Sequence, residues 1–192
     1  MIDPGGDADR ILSEIQRLGL TITDIIHTHA HLDHILAAGE IKKATGATIS
    51  VHLQDKFLWD DVERQCQRFG VPYTPQPDPD RWLQDDEELA CCAGVTMHTP
   101  GHTPGSLCFL FEQYSLLVAG DTLFKRSIGR TDFEYGDFSA IENSIKHRLL
   151  SVVIINTLSF SATLHGTPTD RNYGRPFQLF KQTSHGGVPA SS

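Results

Sequence analysis

The sequence predicts an α/β layered fold, and three observations carry that prediction. Segments of strand character alternate with segments of helical periodicity along the chain. Glycines 19 and 46 stop the first two helical segments, and proline-rich sequence separates later ones. The 192 residues suffice for a real core without disulfides.

The elements follow in order. Asp7 is expected to cap a helix with Ile11, Leu12, Ile15 and Leu18 as its apolar positions and Gly19 as its stop. Thr21 to Thr28 reads as a buried strand. A second helix is expected from about Asp33 to Ala44, a strand over Ala47 to His52, and a third helix over Gln54 to Phe69. Val71 to Pro79 holds four prolines and reads as a loop. Leu89 to His98, Ser106 to Glu112 and Ser115 to Ala119 are strand candidates, the last two forming a hairpin. Asp137 is expected to cap a helix with Phe138, Ile141, Ile145 and Leu149 on one face. Val152 to Ile155 is a further strand candidate, and the Gly, Ser and Pro-rich end from Thr183 reads as disordered.

Composition narrows the function classes. Hydrophobic residues make up 39% and charged residues 21%, ordinary for a globular protein. A formal charge of −8 argues against nucleic acid or an anionic membrane as partner. The acidic run from Asp78 to Glu88 reads as a solvated loop. Cys66, Cys91, Cys92 and Cys108 contain no Cys-x-x-Cys pair, so burial as small apolar groups is expected rather than a zinc finger or disulfide frame. No signal pattern and no apolar run of roughly 20 residues is seen, which sets a cytoplasmic default.

Chemistry concentrates in four short runs. His29, His31, Asp33 and His34 place four metal-type donors within six residues, between an apolar strand and a helix. His29 and His31 are two apart and point the same way on extended chain, while Asp33 and His34 fall on a turn and can serve a second position. His27, inside the strand, reads as a hydrogen-bonded structural histidine. Thr99-Pro100-Gly101-His102-Thr103-Pro104-Gly105-Ser106 holds one imidazole in a tight loop. Ala119-Gly120-Asp121-Thr122 follows an apolar strand, where α/β folds gather ligands. His165-Gly166 is the last. Counted together, His29, His31, His102, Asp33, His34, His165 and a bridging Asp121 suit two metals.

These runs resemble the metallo-β-lactamase superfamily, in particular its small glyoxalase II-like hydroxyacylglutathione hydrolases. The resemblance rests on Thr28 to His34, Thr99 to Ser106, Gly120-Asp121-Thr122-Leu123-Phe124 and Ser127-Ile128-Gly129-Arg130-Thr131-Asp132. It spans Ile2 to Leu150, with 151–182 a divergent end of one domain (1–182) and 183–192 a tail. It implies an αββα four-layer sandwich with the metals at one edge of the two sheets. It assigns His29, His31 and His102 to one metal, Asp33, His34 and His165 to the other, and Asp121 to both. Family members begin with further strands before Ile2-Asp3-Pro4-Gly5-Gly6, so the neighbouring sheet edge is expected to be exposed. The turn around His165 matches the family loosely, and His185 lies in the tail.

The resemblance further implies a metal-dependent hydrolase acting on a small-molecule thioester such as S-lactoylglutathione. Its cofactors would be two divalent ions, zinc foremost with iron or manganese as alternatives. Asp33 would orient the attacking water as well as bind metal. Lys125, Arg126 and Arg130 lie close enough in sequence to attract a substrate carboxylate. One rival is a persulfide dioxygenase of the same fold, holding a single iron through His29 or His31, His102 and Asp121. Another is a catalytically impaired member that binds metal without turnover. Oligomeric state is not encoded legibly.

Overall fold

The computed structural model describes residues 1–152 and the backbone of 158–160. In chain order the elements are α1 (Ala8–Leu18), β1 (Asp24–Ile26), α2 (Leu32–Ile35), α3 (Ala38–Thr45), β2 (Thr48–His52), α4 (Lys56–Asp60), α5 (Val62–Phe69), β3 (Arg81–Leu83), β4 (Glu88–Leu89), β5 (Gly94–His98), β6 (Leu107–Phe111), β7 (Leu116–Val118), β8 (Leu123–Phe124), β9 (Ser127–Ile128), α6 (Phe138–Ser144) and β10 (Leu158–Phe160). One π-helical turn, Ile145–Leu149, continues α6.

Side-chain alternation in the strands builds the layers. A parallel three-stranded sheet runs β1-β2-β3, and a five-stranded sheet runs β10-β7-β6-β5-β4 with β10 parallel to β7. Ile25 faces outward into a core with Ile35, Ile41, Leu58, Trp59 and Val62 of the helices. Its neighbour Ile26 faces the other way and meets Leu107, Phe109, Phe111 and Val118 between the sheets. Cys108 and Leu110, alternating with those, pack outward with Leu117, Leu149 and Ile145. Three apolar layers between four structural layers give the αββα sandwich that the resemblance implies.

Several element boundaries are corrected, each for a tertiary reason. The strand read over Thr21 to Thr28 is ordered as strand only over Asp24–Ile26; beyond it, His27 N–H still donates to the Ser50 carbonyl (2.9 Å). The helix read over Asp33 to Ala44 is two helices, because the Ala37 N–H donates to the Pro4 carbonyl at 3.0 Å instead of continuing the helical ladder. The helix over Gln54 to Phe69 is likewise divided at Asp61, and Gln65 Nε2 donates to the Leu58 carbonyl (2.8 Å) across the break. Leu89 to His98 is not one strand: Leu89 ends β4, residues 90–93 turn with Ala93 left-handed (φ 48°), and Gly94–His98 is β5.

Caps and faces differ in detail. Asp7 precedes α1 in a left-handed conformation and makes no side-chain cap, whereas Asp137 caps α6 by accepting from the Ala140 N–H at 2.9 Å. Phe138, read as part of the buried face, is 59% exposed. Val152 is still helical, and residues 153–157 of the expected strand lie outside the described residues. Cys66 and Cys108 are buried as expected, but Cys91 is exposed. The hairpin of β6 and β7 is present in the expected place. At the open side of β1, Met1 to Asp3 runs alongside, with Ile2 bridged to Ile26. The sheet edge is therefore partly covered, which corrects the expectation of a bare one. No helix among the described residues is long and apolar enough to cross a membrane.

Candidate metal centre

The predicted donors meet where strands end. His29 and His31 lie on the turn after β1, His34 on α2, His102 in the loop from β5 to β6, and Asp121 just after β7. These are the carboxyl ends of their strands, where side chains of different loops converge. Gly120 permits the approach before Asp121: its φ is 48°, and a Cβ there would lie 2.5 Å from Thr28 Oγ1.

Two donor clusters result. One ligand atom from each of His29, His31 and His102 lies within 4.8 Å of the others, and the same holds for His29, His34 and Asp121. His102 Nε2 is 2.9 Å from His31 Nδ1 and 3.5 Å from Asp121 Oδ2. His34 Nε2 is 3.4 Å from Asp121 Oδ1. Asp121 thus faces both clusters with different oxygens. Asp33 stands apart: its side chain is 46% exposed and its Oδ2 is 3.9 Å from His34 Nε2, outside both clusters. His165, like the tail, lies outside the described residues.

Each imidazole is aimed by its outward nitrogen. His34 Nδ1 donates to Asp3 Oδ2 at 3.1 Å. Thr28 Oγ1 donates to the same oxygen at 2.6 Å and is left to accept from His29 Nδ1 at 3.1 Å. His102 Nδ1 donates to the Arg130 carbonyl at 2.8 Å. In the neutral rings the opposite nitrogen then carries a bare lone pair pointing inward. His27 is structural, as read: its Nδ1 donates to the His34 carbonyl at 3.1 Å, while Nε2 has no partner.

The residues fit divalent metal. His29 Nε2, His34 Nε2 and Asp121 Oδ1 are buried and make no well-formed hydrogen bond, although His34 and Asp121 face each other as an ion pair at 3.4 Å. Such atoms cost stability unless something satisfies them. Two or three imidazole nitrogens plus a carboxylate match zinc or iron in donor type. Outer-shell partners holding each ring are a further mark of a metal site.

Sequence reading missed most of that outer shell. Asp3 accepts from Thr28 twice and from His34, and so ties both clusters together. Asp55, fully buried, accepts from the Ala30 N–H (3.0 Å), Thr103 Oγ1 (2.8 Å) and the Gly105 N–H (2.6 Å). The sole sequence signal for Asp3 was a carboxylate just ahead of a Pro-Gly-Gly turn. Arg130, read as a cation for substrate, has its guanidinium paired with Asp132 at 2.9 Å and laid over the Phe133 ring.

Electrostatics separate the two clusters. Burial, reinforced by the neighbouring histidines, holds His29 well below the ordinary imidazole range and His31 at about 3. Burial alone would lower His34 too, but Asp121 and Asp3 outweigh it and push the group up to about 10. Burial also lowers His27 to about 4. These directions give a pH prediction for the metal-free protein. Below 6.5 the unfolded chain protonates His27 and His31 while the folded chain does not, so stability falls as pH drops from 6.5 towards 4. The slope is roughly 1.4 kcal/mol per pH unit for each such group. His34 acts oppositely: its contribution is full below 6.5 and is lost as pH rises towards 10. Thermal midpoints of chelator-treated protein should therefore peak near pH 6 to 7, and a flat acid limb would contradict this assignment.

Comparison with known proteins gives a family, two relatives and a solved structure. Residues 1–157 match the family described as the Metallo-beta-lactamase superfamily. The hydroxyacylglutathione hydrolase GloC of Haemophilus influenzae is 40% identical over 154 residues, 78% of this chain and 73% of that protein. The probable metallo-hydrolase YqgX of Bacillus subtilis is 34% identical over 174 residues, 88% of this chain and 81% of that one. Among solved structures, that of TTHA1623 in a di-iron-bound form has a TM-score of 0.74 at 33% identity, covering 78% of this chain and 74% of that one.

Proposed function

The chain belongs to the metallo-beta-lactamase superfamily, and from that membership we propose that it is a two-metal hydrolase of small thioesters such as S-lactoylglutathione. The observation that carries the two-metal reading is a second buried donor set, His29, His34 and Asp121, beside a complete three-histidine cluster. In the metal-free protein His34, kept protonated by Asp121 and Asp3, pairs with Asp121 across 3.4 Å, and a second ion would take the place of that proton. That second donor set favours the two-metal hydrolase over the one-iron dioxygenase. The relative named as a hydroxyacylglutathione hydrolase supports the substrate class.

His29, His31 and His102 would hold one ion, His34 with Asp33 and His165 the other, and Asp121 would face both. Bound there, divalent ions supply Lewis acidity for a carbonyl oxygen and lower the pKa of water at the site towards about 7. The chain's own residues do the rest. Asp3, Thr28 and Arg130 fix the ring orientations. Phe133 lies against His31 and His102, with ring centroids at 5.2 and 5.8 Å, and presents an apolar face on that side. Asp33, half exposed with its Oδ2 3.9 Å from His34 Nε2, would accept a proton from the attacking water. No side-chain nucleophile is needed: burial pushes the Cys108 thiol up to about 11, and that group packs behind the sheet. A thiolate departs without a strong acid, which suits a site with few proton donors. The acidic chain, at −8, favours a small-molecule partner over nucleic acid, and a cytoplasmic location accords with this chemistry.

The test is metal analysis of the purified protein followed by S-lactoylglutathione hydrolysis. Two ions per chain and metal-dependent turnover are expected. Fully loaded protein without turnover overturns the thioester reading. One iron per chain with oxygen uptake on glutathione persulfide would install the dioxygenase instead.

A further inference from the structure

His31 is the one imidazole of the three-histidine cluster whose outward partner is another side chain from a distant loop. Its Nε2 lies 2.8 Å from Tyr135 Oη. Tyr135 sits between β9 and α6, in the segment that also brings the Arg130 carbonyl to His102. Its ring is fixed on two sides: it stacks on Phe133 (5.4 Å, 14°) and meets the edge of Phe57 (5.3 Å, 69°). Phe133 in turn touches both His31 and His102. Packing therefore sets where the hydroxyl goes, and the hydroxyl sets the plane of the His31 ring.

We propose that Tyr135 is the positioning residue of His31, aiming Nδ1 into the three-histidine cluster and thereby setting its affinity for metal. The proposal rests on the reading of that cluster as a metal site. A phenol both donates and accepts, so it keeps its bond to Nε2 whichever ring nitrogen of His31 carries the proton. A carbonyl such as that of Arg130 serves only one form. His31 can then pair with His102 Nε2, 2.9 Å away, in the metal-free protein and present a bare Nδ1 to an ion, without losing its outer anchor. Without the hydroxyl the outer nitrogen would face the apolar Phe133 and the ring would be free to turn.

Tyr135→Phe tests this, since it keeps the aromatic stack and removes one oxygen. Two measurements apply. In metal-free protein, long-range nitrogen–proton NMR should show changed ring shifts for His31 and unchanged ones for His27, with the thermal midpoint lowered by no more than the loss of one hydrogen bond. In competition with a chromophoric chelator, the tighter zinc should bind roughly 10- to 100-fold more weakly than in the wild type. Wild-type ring shifts together with wild-type zinc affinity in the variant overturn the role of Tyr135 while leaving the metal site standing. Wild-type protein that takes up no zinc overturns the metal site, and the proposal with it.

Discussion

Replacing Asp121 by alanine is expected to reduce bound metal from two ions to one per chain and to lower thioester turnover on the order of a thousandfold. Asp121 is the carboxylate that reaches both clusters, 3.4 Å from His34 Nε2 and 3.5 Å from His102 Nε2. The rate estimate follows from losing Lewis-acid assistance of several kcal/mol, at about 1.4 kcal/mol per factor of ten. The metal-free protein should lose stability as well. Asp121 lies 3.4 Å from His34 Nε2 and, with Asp3, pushes that imidazole up to about 10, so removing the carboxylate strands a buried cation. The variant's metal-free thermal midpoint should fall below that of the wild type. Added zinc should raise it less, because stabilisation by a ligand grows with its affinity for the native state. Metal analysis, steady-state kinetics and melting with and without zinc check these together. A variant that retains two ions and full turnover would remove Asp121 from the site.

The contrast between what the sequence disclosed and what it concealed has a physical pattern. Donor residues were legible because metal chemistry restricts them to a few types, and because His29, His31 and His34 crowd one short run. The α/β layering was legible from the alternation of strand and helix segments, but the four-layer arrangement came only through the family resemblance, because a strand such as Leu107 to Phe111 is apolar on both faces and does not say which face meets which layer. Helix breaks were not. They depend on hydrogen bonds from elsewhere, such as the Pro4 carbonyl on Ala37 and the Gln65 amide on Leu58. The short strands β3, β8 and β9 carry too few residues for a periodic signal. Asp3, Asp55 and Tyr135 were missed because each acts on a residue 25 or more positions away, and no local pattern distinguishes them from surface polar groups.

Asp55 yields the larger stability prediction, and it follows from counting donors. The Ala30 N–H belongs to the run that carries His29 and His31; Thr103 Oγ1 and the Gly105 N–H belong to the loop that carries His102. One buried carboxylate therefore joins the two loops of the three-histidine cluster. Burial raises its pKa, and the bonds from Thr103, Ala30 and Gly105 pull it back down, so those three bonds are what make an interior carboxylate tolerable. Gly105 is required by the same contact, since a Cβ there would lie 2.6 Å from Asp55 Oδ1. Asp55→Ala leaves three buried donors unpaired at about 1 to 3 kcal/mol each, partly offset by removing the buried charge. A net loss of about 3 to 5 kcal/mol is expected, a fall in thermal midpoint of roughly 6 to 20 °C. Zinc affinity should fall with it, because Ala30 and Thr103 are then free to separate. Asp55→Asn keeps one accepting oxygen and should be intermediate. Combining Asp55→Ala with Thr103→Val separates a clamp from general packing: a clamp makes the double variant less destabilised than the sum, since the Thr103 donor is no longer stranded. Strict additivity would mean that Asp55 stabilises the fold without holding the two ligand loops together.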